Sequence, residues 1–439
     1  RISEEAFFEP LRKTVDNLKI RLSYGSLGNQ QIGYYDFIQT ITTKGSMGDY
    51  SFDGTILGQH ATVSDPVSGN QTWEKVISKN LGADLNMFSN RLSLTADFYI
   101  RDTKGILGKG KSLPSIYGAN EPQVNSNNLR TKGYELVLGW RDSFKLAGST
   151  FSYGITGTFS DYTAEYTKCD NPSGLIGGPY VGKKYGEIWG YKVDGLFRND
   201  EEAAEYASRV DLSKVAAGYY SATGAYGKGV RGGDIKYLDL DGSGIVDGGK
   251  GTLEDPGDRR VIGNSSPRYQ YGLTLNLSWY GFDLSVFMQG IGRLDWYPGA
   301  DNLRFWGPYS RPYATFIPKN FMSQVWSESN HDAYFPRARA YTSLNSTQGT
   351  AYYTNDRYLQ NLAYCRLKNL TLGYTIPKRL TSKVGIKECR VYFSGENLAT
   401  WSALKNDFLD PEQAAADSDK KSNVYPWCRT YSVGLNLTF

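Results

Sequence analysis

Between Arg91 and Arg101 the chain places its apolar residues on one parity and all its charges on the other. Leu92, Leu94, Ala96, Phe98 and Ile100 alternate with Arg91, Ser93, Thr95, Asp97, Tyr99 and Arg101. Side chains of a strand alternate between its two faces, so this stretch predicts a ribbon that is greasy on one side and polar on the other. The same two-residue period recurs from Leu18 to Tyr24, Ile77 to Met87, Tyr134 to Trp140, Phe151 to Phe159, Tyr269 to Trp279 and Phe282 to Met288. It returns at Leu370 to Ile376 and at Val391 and Phe393, and it closes the chain with Tyr431, Val433, Leu435, Leu437 and Phe439 against Ser432, Gly434, Asn436 and Thr438.

Counting these runs gives about ten strands, each near the 9 to 11 residues that cross a bilayer at a tilt. Short and long connections alternate between them. Phe88-Ser89-Asn90, the RDSFKLAGS stretch from Arg141 and Tyr280-Gly281 make short turns, while residues 163–265 and 292–360 are long loops. A soluble sandwich has no reason to sort its connections in this way. A transmembrane antiparallel β-barrel does, because its periplasmic turns are short and its outer loops long. Phe88, Trp140, Trp279, Phe282 and Phe439 are then expected together at the short-turn rim as an interfacial girdle. Arg366 and Lys368 share the outward register at the start of one strand, and are expected to rise into the headgroup zone. Residues 1–17 read as a periplasmic connector. NDEEAAEYASRV is a short helix candidate opening at Asn199 or Asp200.

Composition agrees with a β-rich protein that has wet surfaces and many turns. The chain has 34 Tyr, 19 Phe, 9 Trp and 49 Gly in 439 residues. Its net charge of +4 spread over 49 basic and 45 acidic residues points to no nucleic-acid partner. No run of about 18 apolar residues occurs, which excludes membrane-spanning helices but is blind to barrel strands. Two histidines, His60 and His331, argue against an enzyme built on a histidine cluster, and Cys169, Cys365, Cys389 and Cys428 lack metal or redox spacing and read as unpaired small hydrophobes.

With these runs in order, NLKIRLSYGSLGNQQIGYY, NRLSLTADFYIRDTKGIL, NLRTKGYELVLGW, GDIKYLDLDGSGIVD, DRRVIGNSSPRYQYGLTLNLSWYGFDLSVFMQG, LKNLTLGYTIP, RVYFSGENLATWS and YSVGLNLTF, the chain resembles the C-terminal half of the barrel of SusC/RagA-type TonB-dependent transporters. That resemblance covers nearly the whole chain. It implies a 22-strand barrel with an N-terminal plug, contact with TonB and ExbB/ExbD, a SusD-like lipoprotein lid, and multi-pass residence in the outer membrane. The activity implied is active import of oligosaccharides or peptides, without catalysis. The sequence begins RISEE and contains no plug, so the remainder of the barrel is expected from a preceding portion or second chain. A passive porin and a ten-strand outer-membrane protease are the alternatives.

Three groups of residues are candidates for a site. Arg91, Asp97, Tyr99 and Arg101 fall on the polar parity and are expected to line the lumen. In the loop from Arg293 to Arg339, Trp296, Arg304, Trp306, Tyr309 and Tyr313 supply aromatic faces and a cation suited to sugar stacking or peptide side chains, and equally suited to packing the loops on each other or on a lipoprotein. DLDGSGIVD sets Asp239, Asp241, Ser243 and Asp247 at positions 1, 3, 5 and 9 of a Ca²⁺-type loop, with Gly244 at 6 and the Ile245 carbonyl at 7. Position 12 is Lys250, so Glu254 or Asp258 would have to substitute. The favoured reading without metal is an Asx- and Gly-rich turn, and any ion would be structural, with no cofactor required for transport.

Overall fold

The computed structural model describes residues 1–29, 38–44, 51–52, 55–56, 60–69, 71–110, 113–220, 229–310, 317, 319–339, 344, 349–405, 408–416, 425 and 427–439. Ten strands form one antiparallel sheet in strict chain order. They are β1 (Val15–Asn29), β2 (Glu74–Met87), β3 (Leu92–Lys109), β4 (Gln123–Leu146), β5 (Ser149–Lys168), β6 (Arg268–Trp279), β7 (Phe282–Arg293), β8 (Tyr364–Thr375), β9 (Glu388–Ser402) and β10 (Thr430–Thr438). Each pairs with the next, and among the described residues the edge strands β1 and β10 do not pair with each other. The sheet is the expected all-β ladder.

Cross-strand rows confirm the two faces. Leu18, Leu85, Leu94 and Leu138 lie in one row across β1 to β4, and Leu275, Val286, Leu370 and Gly395 in another across β6 to β9. The opposite register carries Arg21, Gly82, Asp97 and Glu135 in a row, so the polar sides of neighbouring strands coincide. A one-residue slip anywhere would have moved a whole strand to the wrong face.

The short turns follow local backbone chemistry. Phe88, Ser89 and Asn90 all have positive φ (58°, 58° and 61°), and the Asn90 N–H donates to the Asp16 carboxylate at 2.8 Å. Ala147 and Gly148 (φ 48° and 83°) and Tyr280 and Gly281 (φ 49° and 82°) are two-residue hairpin turns, whose twist matches that of the strands they join. The turn expected over RDSFKLAGS is therefore only two residues long, because β4 runs on to Leu146. Strands also exceed the expected length: β4 has 24 residues and β5 has 20. The reason is visible in the outward register, which turns charged at Asp102, Arg130 and Glu165 while the hydrogen-bonded ladder continues. These strands project past the apolar band. The girdle aromatics gather at the turn end, with Phe88 and Trp140 centroids 6.3 Å apart and Phe282 and Tyr374 4.5 Å apart.

The placement expected for Arg366 and Lys368 is overturned. A bulge in β8 pairs Met288 with Leu367 and Phe287 with Asn369, which resets the parity and sends Arg366 to the inner face. Arg366 is 1% exposed and donates to Asp410 at 2.5 Å and to Glu412 at 2.9 Å, while Lys368 reaches Glu412 at 2.7 Å. They clasp the loop after β9 instead of reaching lipid headgroups.

At the end of the sheet opposite the short turns, the long connections build a second, dry core. It gathers Phe197, Leu212, Tyr237, Trp306, Phe335 and Tyr358 from two loops, with Leu409 and Ala414 from a third. The expected helix is α1 (Asp200–Arg209); the Asn199 side chain caps it by accepting the Glu202 N–H at 2.9 Å, and three acids occupy its first turn. Asn355 ties the core together. Its amide donates to the Tyr237 and Tyr297 hydroxyls (3.3 and 3.0 Å) and its carbonyl oxygen accepts the Tyr358 N–H (3.1 Å). Cys169, Cys365 and Cys389 form no disulfide among the described residues, as expected from their spacing.

Candidate functional site

The polar face of β1 to β4 holds the most organised charge cluster on the sheet. Arg21 donates Nε and Nη2 to Asp84 (2.9 and 3.1 Å) and Nη1 and Nη2 to Asp97 (3.0 and 2.8 Å). Asn80 adds a fourth donor group, reaching Asp97 at 3.0 Å. The cluster needs Gly82 beneath it, since a Cβ there would lie 2.6 Å from the Asp97 carboxylate and 2.7 Å from the Arg21 guanidinium. One row further along, Tyr99 lies across Gly133, where a Cβ would meet its ring at 2.5 Å, and the Arg101 guanidinium sits 5.7 Å from the Tyr99 ring centroid. Bidentate guanidinium pairs of this kind fix geometry as well as charge.

Of the four residues expected in the lumen, the structure brings Asp97, Tyr99 and Arg101 together on this face. Arg91 lies apart, at the short-turn end, with its Nε 3.3 Å from Asp142. Nearby on the inner face, Arg390 binds Asp283 through Nε at 2.9 Å. Arg21, Asn80 and Asp84 were on the polar parity in the sequence, but alternation alone gives no cross-strand register and could not join them to Asp97.

The aromatic loop is arranged differently from the substrate-contact expectation. Trp296 is 5% exposed, Trp306 0% and Tyr309 1%, each inside the loop core. The Tyr309 hydroxyl donates to the Pro336 carbonyl at 2.6 Å, and Trp306 packs edge-on to Phe305 and Tyr358. Their faces are spent on each other, because the loops are long enough to bury them. Burial pushes the Tyr309 phenol far above its ordinary range. Arg304 is exposed, and Tyr313 lies outside the described residues. The same core contains a buried ion pair, Arg339 Nε to Asp234 Oδ1 at 2.9 Å, with Arg339 5% and Asp234 1% exposed, and burial raises the Asp234 carboxyl despite its partner.

In the acidic loop the carboxylates that converge are Asp239, Asp241 and Asp258, with ligand atoms all within 4.8 Å. Asp258, one of the two substitutes named from the sequence, is 0% exposed. Asp247 is not in that group; its side chain accepts the Gly249 N–H at 2.7 Å, and the Ser243 hydroxyl donates to the Ile245 carbonyl at 3.0 Å. The regrouping follows from the chain doubling back after Gly251, so that the Asp258 N–H donates to the Asp247 carbonyl at 3.0 Å. In this arrangement the loop is held by backbone donors: Asp239 accepts from Gly242, Ser243 and Gly244, and Asp258 from Leu240 and Asp247. Burial raises the Asp258 carboxyl above its usual range, against the pull of those N–H groups.

No family model matches the chain. Among curated proteins it is 26% identical over 449 residues to TonB-dependent receptor P3 of Formosa agariphila, covering 97% of this chain and 40% of that protein. It is 21% identical over 454 residues to TonB-dependent receptor SusC of Bacteroides thetaiotaomicron, covering 100% of this chain and 39% of that one. The solved RagAB peptide transporter superposes with a TM-score of 0.66 at 21% identity, over 100% of this chain and 42% of that chain. The chain thus spans about two-fifths of the length of the relatives it matches. Sequence and fold point to one class: the chain is similar along its length to TonB-dependent receptors, and its sheet has the fold of part of a TonB-dependent transporter β-barrel. Within that class the chain is similar to SusC and to the RagAB transporter, over a stretch consistent with the C-terminal part of the barrel.

Proposed function

We propose that this chain contributes part of the wall and the outer mouth of an outer-membrane importer coupled to TonB, ExbB and ExbD. The cargo is an oligosaccharide or a peptide, and a SusD-like surface lipoprotein closes the mouth. The observation that carries this reading is the division of the chain into a ten-stranded ladder with a polar inner face and a loop core built at one end only. A pre-packed rim of that kind suits docking of a second protein better than free passage. In this reading Asp97, Tyr99 and Arg101 face the transport path, anchored by Arg21, and Arg304 is, among the described candidates of the aromatic loop, the one exposed to cargo or lid. Asp239, Asp241 and Asp258 would hold a structural Ca²⁺, hard oxygen ligands that pin the acidic loop.

Growth of a strain lacking the gene, on a panel of glycans and peptides as sole nutrient, tests the reading. Loss of growth on one class supports import and names the cargo. Uptake that persists after the proton gradient is collapsed would instead identify a passive channel.

A further inference from the structure

The outward face carries a groove that cargo import does not use. It has a volume of about 910 Å³ and crosses β1 to β5, with Arg268 at the start of β6 at its far side. Two rows of paired outward residues line it, and a third stands beyond them. The lowest joins Leu22, Leu81, Phe98, Tyr134 and Asp161. The middle row joins Tyr24, Lys79, Ile100, Lys132 and Thr163. Above it stand Ile77, Asp102, Arg130 and Glu165. The groove therefore lies where the outward face changes from apolar to charged.

Its floor is continuous with the greasy band and stands open: Leu81 is 47% and Phe98 53% exposed. Two of the acids around it are committed, while Glu165 in the row above stands exposed. Asp161 is held by Arg268 through two contacts of 2.6 Å, and Asp102 by Arg130 at 2.7 Å. Lys79 and Lys132 make no salt bridge among the described residues, and both are exposed. They flank Ile100 in one row, two strand spacings or about 10 Å apart, so two long side chains can converge on one anion above the apolar floor.

We infer that this groove binds an anionic phospholipid, with an acyl chain along Leu22, Leu81 and Phe98 and its phosphate between Lys79 and Lys132. A neutral lipid would gain the floor but leave both ammonium groups without an anion at the edge of a low-dielectric medium, where the attraction is strongest. The inference rests on the outward face meeting lipid and not on the cargo or the lid.

Native mass spectrometry of the full-length protein in detergent tests it, with phosphatidic acid and diacylglycerol of identical chains as probes. Phosphatidic acid is expected to bind tighter than diacylglycerol by about tenfold or more, the scale of one charge-assisted contact. Lys79→Gln with Lys132→Gln should bring the two probes level, and Lys79→Arg with Lys132→Arg should keep the preference. Lys75→Gln with Lys104→Gln, which removes a facing cation pair further along the same register, should leave it unchanged. Heat-modifiable gel mobility reports that each barrel is folded. Equal binding of the two probes by the unaltered protein, retention of the preference in the Gln pair, or its loss in the Lys75 and Lys104 variant would each overturn the proposal, the last by revealing a diffuse cationic surface.

Discussion

The ladder and the loop core reach stability by opposite routes. Strands β1 to β10 turn large apolar side chains such as Leu22, Val433 and Leu435 outward, at 80%, 79% and 57% exposure, and are held by backbone pairing with two matched faces. The loop core does what a soluble domain does. It hides Phe197, Trp306, Phe335 and Tyr358 at 0% exposure and pairs polar groups inside it at Asn355 and between Arg339 and Asp234. One chain therefore answers to two solvents, and equivalent substitutions should have unequal effects in the two regions.

The largest effect is expected from Phe335→Ala or Asp234→Ala. The first leaves a cavity worth about 3–5 kcal/mol. The second strands the Arg339 charge in the loop core, at about 3–5 kcal/mol. Limited proteolysis should then cut within residues 169–267 while heat-modifiable mobility of the barrel is unchanged. Barrel loss in step with the loops would break the comparison. Phe98→Ala, on the outward face, should cost much less by the same measurement.

Next comes Leu94→Arg, which sets a charge in the apolar band and costs about 2–4 kcal/mol, read as a fall in the denaturant midpoint of the barrel. Asp97→Asn is smaller, under about 1 kcal/mol, because Arg21 keeps Asp84 and the pair is partly solvated. It should alter cargo uptake more than stability, and a large stability loss would place the cluster among the supports of the fold. The smallest effect is expected at Ala147→Gly. Relief of a left-handed residue is worth about 1–2 kcal/mol, offset by about 0.4–1 kcal/mol of added unfolded-state entropy. A net gain between about 0 and 1.6 kcal/mol, read as a small rise in the denaturant midpoint, is the outcome that fits this balance.

How far the sequence reveals each region follows from the same contrast. Alternation is a local signal, so about ten strands, their faces and the turns at Phe88 and Tyr280 could be read directly, while the turn at Ala147 was read only as the longer RDSFKLAGS stretch. Register is non-local, and the Arg21, Asp84 and Asp97 cluster appears only once three strands are aligned. A single bulge was enough to misplace Arg366 and Lys368, since parity carries no memory across an inserted residue. In the loops the period disappears. Trp296, Trp306 and Tyr309 then look alike whether they meet a ligand or one another, and only the fold reveals their burial. The Asp239 loop lies between these cases: its spacing was legible, while the approach of Asp258 depended on a reversal that the Gly-rich run permits and does not dictate.

The Asn355 junction bears on how such a protein is made. It joins Tyr237, Tyr297 and Tyr358, residues carried by two different outer connections and separated by two intervening strands. Neither connection can complete this junction without the other, so the rim consolidates only once both are in place, a long-range closure that comes late in folding.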